Sequence, residues 1–229
     1  MSVRQPNGAA AASGATVLAL IVALLLAFSL SACSGIYYDA QEQILGRQKR
    51  HILRSRVEAG QKDQAEAQEQ FQSTLDLFKD VTKFDGGKLE GFYKKLQGEY
   101  DDSEARAEDV RERIVSIEKV AGDLFAEWEG EIGDIQSADL RRRSRESMNE
   151  TKQRYQRYIG AMRRAEGKME PVLLAFRDQV LFLKHNLNAR AIASIQQNTV
   201  EIENDVAALI RDMRRSVSEA ESFLDSMQS

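Results

Sequence analysis

The sequence predicts an all-α fold: an elongated, antiparallel bundle of about four long, coiled-coil-like helices. Three observations predict it. Pro6 and Pro171 are the only prolines in 229 residues, so almost nothing obliges a helix to stop. The composition leans on Ala, Glu, Gln, Arg and Leu, which lose little side-chain freedom in a helix. Apolar residues recur at spacings of three and four, and no stretch alternates apolar and polar residues like a strand. With 30% charged residues and only 7% aromatics, such helices share a narrow seam and expose the rest.

The first helix is expected from about Ala40 to Val81, with Leu53, Val57, Gly60, Ala67, Phe71, Leu75, Phe78 and Val81 on one side. Asp85-Gly86-Gly87 then breaks the chain, because paired glycines adopt positive φ at little cost. The second helix runs from about Leu89 to Ile132, its seam carried by Leu96, Tyr100, Val110, Ile114, Ile117, Ala121, Leu124 and Trp128. Gly98 and Asp101-Asp102-Ser103 are expected to interrupt it locally, since Asp and Ser compete for backbone donors. Gly130, Gly133 and Ser137 mark the next turn, with Ser137 placed to cap the third helix.

That third helix, about Ala138 to Lys184, carries the cleanest heptad. Met148, Tyr155, Met162, Met169, Phe176 and Leu183 recur every seven residues, with Thr151, Tyr158, Ala165 and Val172 three further on. Pro171 should kink it, because the ring meets the carbonyl four residues back, although that residue is Gly167. Asn186-Leu187-Asn188 makes the last turn and Asn188 caps the fourth helix. There Ile192, Thr199, Val206, Met213, Ala220 and Met227 alternate with Ile195, Ile202, Leu209 and Phe223. Ile210, Val217 and Leu224 join later, as a 3.6-residue helix drifts against a strict heptad. Short connections make sequential helices antiparallel neighbours.

The N-terminus reads differently. An apolar run spans 15–30 behind a weakly basic start at Arg4, and Leu30-Ser31-Ala32-Cys33 closes it with the chain's only cysteine. The run is short for a spanning helix, which needs about 20 apolar residues, and it ends in small residues that suit a signal peptidase. The arrangement resembles the lipobox of bacterial lipoproteins. That resemblance implies a signal peptide over 1–32 that is cleaved, and a lipidated N-terminus with short tether over 33–39 (palmitate-type chains on Cys33). The helical bundle domain then spans 40–229. Ser34 in place of an aspartate points to an outer-membrane lipoprotein facing the periplasm, with inner-membrane retention as the alternative. Several acyl chains anchor stably where one does not. Tyr37 and Tyr38 follow closely, and their apolar rings with polar tips suit either a membrane interface or packing at the bundle end.

Removing 1–32 deletes Arg4 and no acid, so 31 bases face 36 acids, a net charge of −5. A mildly acidic domain has no general attraction to nucleic acid or to anionic lipid. His51 and His185 are the only histidines and stand far apart, with no cysteine beside either, so no metal set and no cofactor site is expected. No serine sits in a Gly-x-Ser-x-Gly turn, and no catalytic residue is assigned.

Arg141-Arg142-Arg143-Ser144-Arg145 is the sharpest charge run. It reads either as a contact for an anion or acidic partner, or as a surface neutralised within the bundle. The acids Asp101, Asp102, Glu104, Glu108 and Asp109 of the antiparallel second helix are the obvious counter-surface for the latter. Met148, Met162 and Met169 suit a soft binding groove, but their heptad spacing favours core. Trp128 beside Phe125 reads as an exposed contact or as end packing.

Three stretches also look familiar together. Phe84-Asp85-Gly86-Gly87 is followed by Leu96 and by Glu99-Tyr100-Asp101-Asp102-Ser103-Glu104-Ala105. Arg154-Tyr155 is followed by Ala161-Met162-Arg163-Arg164-Ala165-Glu166. The strongest runs from Met169-Glu170-Pro171-Val172 through Phe176-Arg177-Asp178-Gln179-Val180 to Lys184-His185-Asn186-Leu187-Asn188-Ala189. They resemble an uncharacterised, helical family of gammaproteobacterial lipoproteins, a domain of unknown function, over about Tyr37 to Met227. The resemblance implies family and anchoring and no catalytic or binding residue.

The expected function is therefore a non-enzymatic, lipid-anchored helical scaffold or adaptor of the cell envelope. It would meet the membrane through Cys33 and an envelope protein or a second copy through its charged faces, with no nucleic acid and no evident small-molecule substrate. A membrane-surface module that senses or shapes the bilayer is the alternative. A wall-hydrolase-type enzyme, with its groups hidden among the carboxylates, is the third.

Overall fold

The apolar seams fold as four helices in the computed structural model, which describes residues 49–81 and 89–227. They are α1 (Lys49–Val81), α2 (Leu89–Asp134), α3 (Ala138–His185) and α4 (Ala189–Ser226). The unit they build begins at Lys49. The expected earlier start of α1 at Ala40 lies outside the described residues. Each helix packs on the one before and the one after it, and α4 returns to α1, so the four form a closed ring in cross-section.

Cross-helix contacts show that all neighbours are antiparallel. Asp63 meets Arg113, Glu66 meets Arg106 and Gln70 meets Glu99, so α2 descends as α1 rises. Arg163 meets Glu118 and Arg145 meets Glu129 between α3 and α2. Lys168 meets Asp212 and Arg157 meets Glu219 between α3 and α4, and Lys79 meets Glu203 while Gln61 donates to the Val217 carbonyl, which closes the ring through α4. At 1.5 Å per residue the longest helices extend about 70 Å.

The core follows the heptads closely. Leu53, Val57, Ala67, Phe71 and Phe78 are fully buried from α1, and Met162, Ala165, Met169, Phe176 and Leu183 from α3. The three methionines Met148, Met162 and Met169 are all buried, which makes them packing and leaves no groove. Phe71 and Phe78 stack on Phe176 at 6.2 and 5.1 Å between ring centroids. A second aromatic group joins Phe125 to Tyr155, Tyr155 to Phe223 and Tyr158 to Phe223, at 5.6, 6.0 and 6.1 Å. At Gly60 the neighbours leave little room for a side chain: a Cβ there would lie 3.0 Å from the Tyr158 hydroxyl and 3.1 Å from Ile117 Cδ1.

The N-terminus of α3 is capped as the sequence predicts. Ser137 stands at the α3 N-cap with extended backbone, and its hydroxyl accepts from the Leu140 amide at 3.4 Å. The Asn188 carbonyl accepts the Ile192 amide at 3.4 Å as α4 begins.

Three local expectations need correction. Gly98 and Asp101-Asp102-Ser103 do not interrupt α2. Ser103 is fully buried and its hydroxyl shares a 2.8 Å hydrogen bond with Thr74, so its polar atom is satisfied across the interface and not by breaking the helix. Gly130 and Gly133 also lie inside α2, and the turn is confined to 135–137. The expected α2 seam is only partly right: Val120, Phe125 and Ile132 are buried, while Tyr100, Leu124 and Trp128 are half-buried. Helix α3 continues on both sides of Pro171, in keeping with the expected single helix, and Pro171 is exposed to solvent.

Candidate interaction surface

The arginine run sits where the α2–α3 turn forces it. With only 135–137 between the helices, Arg145 is brought opposite Glu129, not opposite the acids at 101–109, which lie many turns along α2. This corrects the expected counter-surface. Its charges are met locally instead. Arg142 pairs with Asp139 at 2.7 Å and with Glu146 at 3.1 Å, and Arg143 pairs with Asp139 at 2.9 Å. Hydrogen bonds to Asp139 and then to Glu146 raise the Arg142 pKa. Arg145 reaches Glu129 at 3.2 Å, and Arg141 donates to the Gln136 carbonyl at 3.4 Å. Asp139, in the first turn of α3, also offsets the cost of placing cations at a helix N-terminus.

Beside it, Trp128 ties three helices together. Its indole N–H donates to the Ser144 hydroxyl at 3.0 Å, and the Arg50 guanidinium lies 5.6 Å from the ring centroid. Lys49 pairs with Glu127 at 3.5 Å at the same end. This end is where the chain enters the bundle. Cys33, Tyr37 and Tyr38 lie outside the described residues.

His51 and His185 are both exposed and occupy opposite ends of the bundle. Among the described residues no group of three His, Cys, Asp or Glu side chains is placed to hold a metal ion. No described helix is long and apolar enough to cross a membrane.

The interior holds polar groups that sequence reasoning did not single out. Gln64 and Ser216 are nine-tenths or more buried, and neither amide atom of Gln64 nor the Ser216 hydroxyl finds a hydrogen-bond partner among the described residues. The buried Tyr158 hydroxyl is likewise unpaired, and burial raises its pKa. Burial, and secondarily Glu118, pushes Tyr155 up to about 12.

A second arginine surface also emerged. Arg211, Arg214 and Arg215 are exposed on the outer side of α4, and none of them forms an ion pair with a described residue. Asp212 is taken across the seam by Lys168 at 2.6 Å, and Glu219 faces Arg157 at 3.9 Å. Pairing between helices therefore strips α4 of the acids that would have balanced its own arginines. The absence of any acid three or four residues from Arg211 or from Arg214 was the sequence signal available.

The chain belongs to the family described as protein of unknown function (DUF2959), whose model matches residues 37–227. No curated protein and no solved structure matches it.

Proposed function

We propose that the protein is a non-enzymatic, lipid-anchored scaffold or adaptor of the bacterial envelope, held at the periplasmic side of the outer membrane by acylated Cys33. The observation that carries this reading is the apolar run 15–30 ending in Leu30-Ser31-Ala32-Cys33, a short tether ahead of a helical bundle. The mechanism is positional. The core consumes the apolar seams, and the long charged faces are left to meet a partner or another copy. The Arg141–Arg145 end, next to the point of chain entry, is one such face, and Tyr37 and Tyr38 sit between it and the anchor in sequence.

Metabolic labelling with a palmitate analogue tests the anchor. Wild-type protein takes the label and fractionates with outer membranes, whereas Cys33→Ala loses both. A Cys33→Ala protein that is exported, cleaved and still membrane-bound sinks the anchoring reading. In-cell cross-linking tests the adaptor: a reproducible partner that is lost when Arg141, Arg142, Arg143 and Arg145 are replaced supports it. Cross-links confined to its own copies and to lipid would replace the adaptor by a self-assembling scaffold.

A further inference from the structure

The charges of the bundle are sorted by helix. Helix α2 carries six Lys and Arg against fourteen Asp and Glu, a net of −8. Helix α3 carries twelve against six, a net of +6. Their mutual seam absorbs part of this difference through Arg111 with Glu166 and Glu170, Arg163 with Glu118, and Arg145 with Glu129. The outer side of α2 keeps its surplus. Asp101, Glu108 and Glu112 are exposed there at spacings of seven and four, opposite the buried row Val110, Ile114 and Ile117. Among the described residues Asp101 accepts only from Gln97, Glu108 is held only by Arg111 three residues on, and Glu112 has no ion pair.

The unpaired arginines of α4 stand diagonally across the ring from this row. They also stand at the same height. Arg111 of α2 pairs with Glu166 and Glu170 of α3, and Lys168 between those two pairs with Asp212 of α4. The α2 residues 108–112 and the α4 residues 211–215 thus occupy one level along the bundle axis.

From this placement we infer that copies of the chain associate side by side in register, Arg211, Arg214 and Arg215 of one against Glu108 and Glu112 of the next. Sidewise translation alone brings the two patches together, without rotation or axial shift. Copies related this way all point in one direction, the orientation that a shared membrane anchor imposes; to that extent the inference rests on the proposed anchoring. The contact uses two different surfaces and does not close on itself, so it builds rows and not a two-fold dimer. Exposed ion pairs are individually weak. Confinement to a membrane raises the effective concentration enough for a weak contact to matter, and screening at about 8 Å in physiological salt lets the local patches outweigh the overall negative charge.

Full-length protein reconstituted in neutral vesicles, with donor or acceptor dye on a C-terminal tag, gives the readout as energy transfer between copies. Wild-type copies transfer energy at low ionic strength and lose it as salt rises. Reversing one patch (R211E, R214E and R215E together) or the other (E108K and E112K together) weakens association by roughly tenfold or more, since like charges then face each other. Mixing the two reversed proteins restores transfer, because each supplies the patch the other lacks. Absence of transfer between wild-type copies overturns the inference, as does transfer that survives either reversal or fails to return in the mixture. Glutamine replacements at the same five positions remove the charge without reversing it and guard against loss of folding, which circular dichroism reads directly. Mass spectrometry of the same preparation reports acylation of Cys33, so a failed anchor and a failed contact are seen separately.

Discussion

Two arginine-rich surfaces differ in a way their sequences conceal. Arg141 to Arg145 form the densest basic run in the chain, yet Asp139, Glu146 and Glu129 meet three of its four guanidinium groups. Arg211, Arg214 and Arg215 are interleaved with Asp212 and followed by Glu219, yet both acids are drawn to α3. Charge density along the chain and free charge on the surface are therefore different quantities. The first belongs to the sequence, and the second depends on which neighbours compete for each acid.

One core lies beneath both surfaces, and removing its support should disturb them together. Phe176 is fully buried between Phe71 and Phe78, so Phe176→Ala should cost about 3–5 kcal/mol and blur both surfaces at once. Thermal unfolding measures it; a loss under about 1 kcal/mol would mean that the stack is not structural.

Alkali attacks the second aromatic group. Tyr155 has a folded-state pKa of about 12 against an ordinary value of 10, so the folded state favours the protonated ring. Its contribution is full below pH 10 and is lost as the pH rises towards 12. Tyr155→Phe should flatten that alkaline decline in a denaturation series run at rising pH. An unchanged decline would assign it elsewhere.

Gly60→Ala places a methyl group 3.0 Å from the Tyr158 hydroxyl and 3.1 Å from Ile117 Cδ1; crowding of about 1–3 kcal/mol set against the roughly 1 kcal/mol that alanine gains over glycine in a helix should leave a net loss of up to about 2 kcal/mol. Pairing it with Tyr158→Phe, which removes the nearer oxygen, should recover part of that loss. Gln64→Leu should go the other way, gaining about 1 kcal/mol in a denaturant titration, because both amide atoms are buried unpaired. If that variant were destabilised instead, the Gln64 amide would be solvated inside the bundle.

The smallest effects sharpen the comparison most. Arg145→Gln breaks the pair with Glu129 and should lower stability by about 0.5 kcal/mol or less. Arg215→Gln breaks no ion pair among the described residues and removes repulsion from Arg211 and Arg214, so its melting temperature should stay level or rise. Equal losses in both variants would erase the distinction between the two surfaces.

Much of this molecule was legible in the chain itself. Apolar spacing, scarcity of proline and the cap at Ser137 determined that four helices form, where α3 begins and which methionines lie inside. These are local properties, set by the periodicity of the backbone and the chemistry of the nearest residues. Local reasoning failed at Ser103, whose hydroxyl is satisfied by Thr74 on another helix. It failed again over the acids expected to face Arg141 to Arg145, because a three-residue turn fixes which part of α2 they meet. Only the tertiary structure decided which charges cancel, which polar groups are stranded in the core and which patches share a level. Each of those depends on the register between helices, and register comes from packing summed over the whole bundle, not from any short stretch of sequence.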